Sequence, residues 1–442
     1  MSVVRVGRVL TAPDVPEHLV TVDAHAWPGL LAIPTGPAAG LKARVAEAKF
    51  AGACAAAGIE LDPGRGAELR VEYDMLFRRI AESGWVGLAE GFMAGEWFAT
   101  SSEVLVDVLT KLLQSNYRPK TPTISPKHLD GGGEIPAELV QHFAGDGMSG
   151  FAGHFATGVP TTQRVRVKSQ QSRSAPAYFV DVTEYSEPID ASRDDLGDVQ
   201  QRSVQMLLDA CATSRGTHLL EFPSSGGAVS LAAAGRGAVV DAWAADEHAA
   251  DALRDRVVYA GVGGAVHVEL MGPEWTRATN RRSFYDAVVS VERLETLTPA
   301  SKAQYLSAVG HLVDPGGRVA VQTAMRTAAF TPAADAALQS LRAYIWPGLS
   351  FSTPDELTRI VDRRTPLRIV AQTRAPAHLA ASLRLQREMF DSRLREAAAD
   401  GFDQVYRRLW QWQFALREAL ARLEMLDVVQ VTLVPRDRRG RR

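Results

Sequence analysis

The stretch that decides the fold runs from Thr217 to Val229 and reads THLLEFPSSGGAV. Its apolar first half predicts a buried strand, its proline, serine and glycine residues predict a tight turn, and the end predicts the start of a helix. In α/β proteins such a turn carries glycines, which let the backbone approach a nucleotide closely. Here Pro223 and Ser225 occupy two of those positions, and proline also removes an N–H donor. The stretch therefore predicts a nucleotide-binding framework with an altered loop.

Strand and helix patterns alternate on both sides of this stretch. The predicted strands are His218–Phe222, Ala238–Trp243, Val266–Leu270, Asp286–Val291, Arg318–Thr323, Pro366–Thr373 and Val428–Pro435. Asp314–Gly317 predicts a sharp reversal into the fifth of them. Regular alternation of strands with helices is typical of an α/β protein with a doubly wound, seven-stranded sheet.

The N-terminal part of the chain has a different pattern. A short strand at Leu69–Val71 between helices such as Leu41–Ala57 and Ser102–Leu113 predicts a smaller N-terminal α+β domain. Residues 114–136 are rich in proline and glycine and predict a linker, and residues 137–195 give no clear pattern. We therefore predict an N-terminal domain at 1–113, a linker and unassigned segment at 114–195, and the main α/β domain at 196–442.

Composition narrows the class of protein. The net charge of -2 over 442 residues argues against a nucleic-acid partner. Cys54 and Cys211 lie far apart without metal-like spacing, so we expect two buried thiols and no metal site. Residues 1–20 lack the pattern of a secretion signal, and no segment has the roughly 18 uninterrupted apolar residues of a membrane span. These features predict a cytoplasmic protein.

Several longer motifs resemble those of one family. They are FRRI at Phe77–Ile80, GLAEGFMAGEW at Gly87–Trp97, YDAVVSV at Tyr285–Val291 followed by Leu294-Glu295, DPGGR at Asp314–Arg318, YIWPG at Tyr344–Gly348 and LDVVQV at Leu426–Val431. On these motifs the chain resembles the cyclopropane-fatty-acyl-phospholipid synthases and their mycolic-acid relatives. The resemblance implies a class I methyltransferase fold. It also implies methyl transfer from S-adenosylmethionine to the double bond of a phospholipid acyl chain, with bicarbonate as the proton acceptor.

The departures from this family lie mainly at the positions that the resemblance assigns to methyl transfer. The histidine-tyrosine-aspartate motif of the family has no counterpart between residues 155 and 180. Glu187 stands where the family has its active-site cysteine, Thr296 replaces a histidine, Glu292 replaces a glycine and Leu379 replaces a tyrosine. The family's acidic motif after the third predicted strand is replaced by Met271–Glu274. Together these changes indicate a degenerate methyl-transfer site.

The resemblance also gives the candidate site residues. They are Glu295 and His378 for catalysis, Glu221, Gly226 and Gly227 for the cofactor, and Tyr344, Trp346, Pro347, Gly348 and Trp410 for the lipid. Each has a simpler interpretation: Glu295 as a solvated or helix-capping acid, His378 as a surface residue, and the glycine pair as turn chemistry. Phe402, Tyr406, Trp410 and Phe414 recur every four residues, so they share a helix face that is more often core than acyl channel.

Three functional hypotheses remain open at this point. The first is a non-catalytic pseudoenzyme that forms a homo- or hetero-oligomer with a family homologue, or presents lipid to it. The second is an active lipid methyltransferase that uses S-adenosylmethionine and bicarbonate. The third is a pocket repurposed for another apolar ligand. An arginine-rich C-terminal tail that includes Arg436, Arg438 and Arg439 is either solvated or makes peripheral membrane contact.

Overall fold

The computed structural model describes residues 16–61, 66–125, 134–171, 176–271 and 285–436. Gly131–Gly133 of the predicted linker, Gly272–Glu274 of the replaced acidic motif, and Arg438 and Arg439 of the tail lie outside these residues. Among the described residues, no helix is both long and apolar enough to cross a membrane.

The chain forms two compact units, and each is discontinuous in sequence. The first comprises Met1–Pro126, Ala328–Pro347 and Phe390–Met425, and the second comprises Lys127–Thr327, Gly348–Met389 and Leu426–Arg442. The predicted division was continuous, with one boundary near residue 113 and another near residue 195. Two helical insertions of the α/β region thus belong to the first unit, which a reading of the sequence from end to end did not reveal.

The secondary structure is as follows. The helices are α1 Pro28–Leu31, α2 Pro37–Ala56, α3 Met75–Ser83, α4 Trp85–Ala94, α5 Ser102–Gln114, α6 Ala137–Val140, α7 Leu196–Ala210, α8 Ala228–Gly235, α9 Glu247–Tyr259, α10 Pro299–Leu312, α11 Pro332–Tyr344, α12 Pro354–Arg364, α13 Pro376–Ser392, α14 Leu394–Ala399 and α15 Gln404–Arg422. The strands are β1 Leu69–Val71, β2 Trp97–Ala99, β3 Pro160–Lys168, β4 Ala177–Tyr185, β5 His218–Glu221, β6 Val239–Ala244, β7 Val266–Leu270, β8 Tyr285–Val291, β9 Val313–Arg326, β10 Leu367–Arg374 and β11 Leu426–Pro435.

The second unit is built on one large sheet, whose strand order is β3-β4-β10-β11-β9-β8-β5-β6-β7. Strands β7, β6, β5, β8 and β9 are parallel, and β11 is antiparallel to both of its neighbours. All seven predicted strands are present, so the predicted α/β fold with a seven-stranded doubly wound sheet is confirmed. Alternate residues of the central strands face two separate hydrophobic clusters, one on each side of the sheet.

A hairpin extends this sheet beyond the seven predicted strands. β3 pairs antiparallel with β4, and β4 pairs parallel with β10. The segment between residues 137 and 195, to which no regular structure was assigned, therefore contains two nine-residue strands. Strand β3 was not predicted because it is an edge strand: eight of its nine residues are exposed, and only residues 164–168 alternate between polar and apolar side chains.

The turn predicted at Asp314–Gly317 lies inside β9 as an irregularity. Tyr285 pairs with Val313, whereas Ala287 pairs with Arg318, so β9 carries extra residues against β8. The Asp314 carboxylate accepts a hydrogen bond from the Gly316 N–H at 2.7 Å, which stabilises the bend. The sharp reversal predicted here is therefore absent, and a register irregularity within one continuous strand takes its place.

The first unit packs helices around buried aromatic side chains. Trp97 is fully buried, donates its ring N–H to the Leu88 carbonyl at 2.8 Å and packs edge-on against Trp412. Phe92 is 7% exposed and contacts both tryptophans. The family motif at Gly87–Trp97 therefore supplies core residues of the first unit.

The prediction for the two cysteines is confirmed. Cys54 and Cys211 are both buried free thiols, and burial raises the pKa of each to about 12. The Ser101 hydroxyl caps α5 by accepting the Val104 N–H at 3.2 Å.

Candidate active site

The loop between β5 and α8 is closed by its own acidic residue. The Glu221 carboxylate accepts the Ser225 N–H at 2.8 Å and the Ser225 hydroxyl at 2.7 Å. It also accepts the Ser230 N–H at 3.2 Å and the Ser230 hydroxyl. Glu221 is fully buried, and burial raises its pKa although these donors act in the opposite direction. Both of its oxygens are thus occupied by residues of the loop and of α8.

The two glycines of this loop are explained by turn geometry and packing. Gly226 and Gly227 have φ values of +98° and +102°, which disfavour any other residue. A Cβ at Gly226 would collide with the Met148 carbonyl oxygen, and a Cβ at Gly227 would lie 2.6 Å from Leu253 Cδ1. The chain's own backbone thus fills the space that the missing side chain leaves at Gly226.

Arg256 connects residues 147–148 to this loop through hydrogen bonds. Arg256 donates one N–H to the Gly226 carbonyl at 2.6 Å and another to the Gly147 carbonyl at 3.2 Å. Burial lowers the pKa of Arg256, and the nearby Asp146 acts against that effect. Hydrogen bonds to a partly buried cation therefore hold residues 147–148 against the loop.

These residues do not fit the methionine end of S-adenosylmethionine. Pro223 has no N–H, the Ser224 N–H donates to the Trp243 carbonyl at 2.8 Å, and the Ser225 N–H is bound to Glu221. Ser225 also carries a side chain where the resemblance implies a glycine. Residues 223–225 therefore offer a bound molecule neither free amides nor the space that a glycine would leave.

Glu295 lies in a short 3-10 turn, Leu294–Thr296, that follows β8. Its carboxylate accepts the Thr323 hydroxyl at 2.6 Å and the Ala324 N–H at 3.1 Å. The residue is 4% exposed, so its interpretation as a solvated acid is wrong. Burial raises the pKa of Glu295 to about 7, and the charge of Glu292 adds to this effect.

Glu292 explains how the chain tolerates the loss of a family glycine. It has a φ of 47°, in the left-handed region that favours glycine. Its carboxylate accepts the Ala152 N–H at 2.8 Å and the Gln322 side-chain amide at 3.3 Å. These hydrogen bonds hold the unfavourable conformation and bring a second carboxylate near Glu295.

His378 is fully buried, so the interpretation of it as a surface histidine is wrong. Its Nδ1 accepts the Phe155 N–H at 3.0 Å, and its Nε2 donates to the Ser186 carbonyl at 2.9 Å. An accepting Nδ1 requires the neutral ring, and burial lowers the pKa of His378 accordingly. Both nitrogens are used to hold backbone segments together.

Sequence reasoning missed His154, which lies close to His378. The two ring centroids are 6.0 Å apart, and His154 Nδ1 is 2.6 Å from the Ser203 hydroxyl. Burial, with a contribution from His378, lowers the pKa of His154 to about 3, so its ring is neutral. The signal was present in the sequence: His154 lies one residue before the interval 155–180, in which the family's histidine-tyrosine-aspartate motif was expected, and an aromatic residue, Phe155, follows it.

The residues predicted to contact lipid divide between the two units. In the first unit, the rings of Trp346 and Trp410 lie 6.2 Å apart in an edge-on contact, and the Tyr344 hydroxyl donates to Glu90 at 2.7 Å. Pro347 is half-buried in the same unit. In the second unit, a Cβ at Gly348 would lie 2.5 Å from the Thr296 carbonyl oxygen, so close packing explains this glycine.

Comparison with known proteins places these features in context. The sequence model of one family, described as mycolic acid cyclopropane synthetase, matches residues 174–431. The curated protein tuberculostearic acid methyltransferase UfaA1 of Mycobacterium tuberculosis is 29% identical over 434 residues, which cover 93% of this chain and 96% of that protein.

Solved structures show the same fold at low sequence identity. The cyclopropane synthase MmaA2 of Mycobacterium tuberculosis matches with a TM-score of 0.54 and 16% identity, over 71% of this chain and 99% of that chain. Coclaurine N-methyltransferase, solved with N-methylheliamine and SAH, matches with a TM-score of 0.55 and 12% identity, over 79% and 99%. At these identities the likeness concerns the fold alone.

Proposed function

This chain belongs to the mycolic acid cyclopropane synthetase family, and from that premise we propose that it is a member that no longer transfers methyl groups. In this proposal it serves an active lipid methyltransferase as a partner or lipid-presenting subunit. One observation carries the proposal: the cofactor loop is closed on itself through Glu221, while Pro223 and Ser225 replace the expected glycines. The backbone N–H groups of Ser224 and Ser225 already donate within the protein, so they are not available to a ligand.

The other candidate residues support the same proposal. Both oxygens of Glu295 accept hydrogen bonds from β9, and both nitrogens of His378 are bound to backbone. The Thr296 hydroxyl, in the place of a family histidine, donates to the Arg293 carbonyl within its own turn. Groups that catalyse proton transfer need an open hydrogen-bonding position for the substrate, and neither ring nitrogen of His378 has one.

The lipid side of the proposal rests on the relatives. UfaA1 is named as a tuberculostearic acid methyltransferase, and the family name refers to mycolic acid. We therefore infer that the partner of this chain acts on phospholipid or fatty-acyl chains, in the cytoplasm and in peripheral contact with the membrane. The assembly would be a homo- or hetero-oligomer that includes a catalytic homologue.

The first expected result is that the purified chain binds no S-adenosylmethionine, because residues 223–225 lack free amides and space. Isothermal titration calorimetry should give no heat beyond dilution. An active family member titrated under the same conditions is the positive control. A micromolar dissociation constant for this chain would contradict the proposal.

The second expected result is association. Co-expression with a catalytically intact family member from the same source should give one complex on size-exclusion chromatography, and this complex should contain both chains. The activity or thermal stability of the homologue should rise in its presence. Separate elution with no effect on the homologue would leave the repurposed apolar-ligand pocket as the better hypothesis.

A second candidate function is an active methyltransferase for unsaturated phospholipid acyl chains. It is favoured by the similarity to UfaA1 across nearly the whole chain and by the buried carboxyl group of Glu295 at the end of β8. Mass spectrometry of fatty acids separates the two functions. A gain of one carbon in acyl chains incubated with this protein alone would establish the second candidate.

A further inference from the structure

Helix α2 of the first unit carries two apolar faces, and only one of them is buried within the unit. The buried face consists of Ala43, Ala46, Phe50 and Cys54. The opposite face consists of Ala38, Leu41, Val45, Ala48 and Gly52, all of which are exposed. Leu41 is 69% exposed and Val45 is 49% exposed. The outward stripe is therefore an exposed apolar surface on a helix whose opposite face is already buried, and such a surface is a candidate for contact with a partner.

Basic residues flank this outward face. Lys42 and Lys49 lie on one side of the apolar stripe and Arg44 lies on the other, when positions are placed at 100° per residue. Glu47 is the only acid on α2. Within the described part of the chain, none of these three cations forms an ion pair. An apolar stripe bordered by lysine and arginine is typical of helices that lie in the plane of a membrane surface.

We propose that α2 docks the protein on an anionic phospholipid bilayer, with Leu41 and Val45 inserted at the boundary between head groups and acyl chains. Charge complementarity distinguishes this occupant from a second copy of the chain. Two copies of α2 packed face to face would bring Lys42, Arg44 and Lys49 of each against the same cations of the other, which is unfavourable. A bilayer containing phosphatidylglycerol instead presents negative charge to all three.

The inference extends the lipid side of the proposed function but does not depend on a catalytic partner. Vesicle binding by the purified chain alone tests it, without a homologue or S-adenosylmethionine. If the co-expression experiment shows no complex, the vesicle-binding result is unaffected. If the chain does not bind vesicles, the result of the co-expression experiment is unaffected. The probes are vesicles of pure phosphatidylcholine and vesicles of phosphatidylcholine mixed with phosphatidylglycerol.

We expect the wild-type chain to sediment with the mixed vesicles and not with pure phosphatidylcholine. Leu41→Glu/Val45→Glu should weaken this binding by at least about tenfold, because it removes the inserted side chains and adds negative charge. Lys42→Glu/Lys49→Glu should weaken it by at least about tenfold through charge alone, and added salt should act in the same direction on the wild type.

A matched control is available in the second unit. Val258 and Tyr259 are 76% and 96% exposed, so Val258→Glu/Tyr259→Glu makes the same change of charge on a different surface. It should leave vesicle binding unchanged. All variants alter exposed positions, and equal melting temperatures should show that they fold.

Three results would overturn the inference. One is the absence of wild-type binding to the mixed vesicles. Another is an equal loss of binding in the Val258→Glu/Tyr259→Glu control. The third is a Leu41→Glu/Val45→Glu variant that changes oligomeric state by light scattering but retains vesicle binding, which would assign the face to another protein chain.

Discussion

Replacement of Arg79 by methionine should lower the free energy of unfolding by about 3 to 5 kcal/mol, because it leaves buried carboxylates without their cation. Arg79 is fully buried in α3, and its Nε donates to both oxygens of Glu96 at 2.8 and 2.9 Å. Its Nη2 donates to the Leu30 carbonyl at 2.6 Å, and its Nη1 lies 3.8 Å from Glu90. Methionine fills similar volume but restores none of these contacts.

Urea denaturation followed by circular dichroism measures this effect. Arg70→Met is the matched control, since Arg70 forms a 2.5 Å ion pair with Glu72 but its side chain is 56% exposed. The control should lose less than about 1 kcal/mol. The double variant Arg79→Met/Glu96→Leu should recover part of the loss, because it removes the stranded charge as well. Equal losses in Arg79→Met and Arg70→Met would contradict the buried network.

This network shows what the sequence could and could not reveal about the first unit. The motif at Phe77–Trp97 was found by resemblance, but its charged residues gave no sign of burial. The structure explains the two glycines of this motif. A Cβ at Gly87 would collide with the Arg79 carbonyl, and a Cβ at Gly91 would lie 2.6 Å from Leu76 Cδ1. The residues of the motif are therefore those that close packing of α3 on α4 around a buried ion pair requires.

In the second unit, periodicity predicted the strands well because each central strand is a buried apolar run. Periodicity did not predict which polar residues come into contact when the sheet forms. Glu292 and Ala152 are 140 residues apart, and His378 and Phe155 are 223 residues apart. Such pairs form only when the chain folds, so short sequence patterns did not indicate them. For this reason His154 was not predicted, and His378 was predicted to lie at the surface.

The free energy of unfolding should fall as the pH rises, because Glu295 is a buried acid. Burial and the charge of Glu292 raise the pKa of Glu295 to about 7 in the folded protein, against an ordinary value of 4.5. The folded state therefore holds a proton that the unfolded state releases between these values. Its contribution to stability is fully present below pH 4.5 and is lost as the pH rises through 7.

Glu295→Gln should remove this loss. The glutamine oxygen can still accept the Ala324 N–H, and its amide can donate to the Thr323 hydroxyl, which also lies 3.3 Å from the Ala324 carbonyl. The free energy of unfolding of the variant should therefore match that of the wild type at pH 4 and exceed it by roughly 3 kcal/mol at pH 8, from about 1.36 kcal/mol per pKa unit. Chemical denaturation at a series of pH values measures both curves.

Two further variants make the result specific to this carboxyl group. Glu187→Gln changes an exposed position and should follow the wild-type curve at every pH. Glu292→Gln should shift the loss of stability to lower pH, because it removes the neighbouring negative charge that raises the pKa of Glu295. If Glu295→Gln instead lowers stability at pH 8, the ionised carboxylate is stabilised by a group that it faces in the folded protein. A bound cation or substrate at Glu295 would produce that outcome, and it would favour the catalytic alternative over a site whose acidic residue serves only the fold.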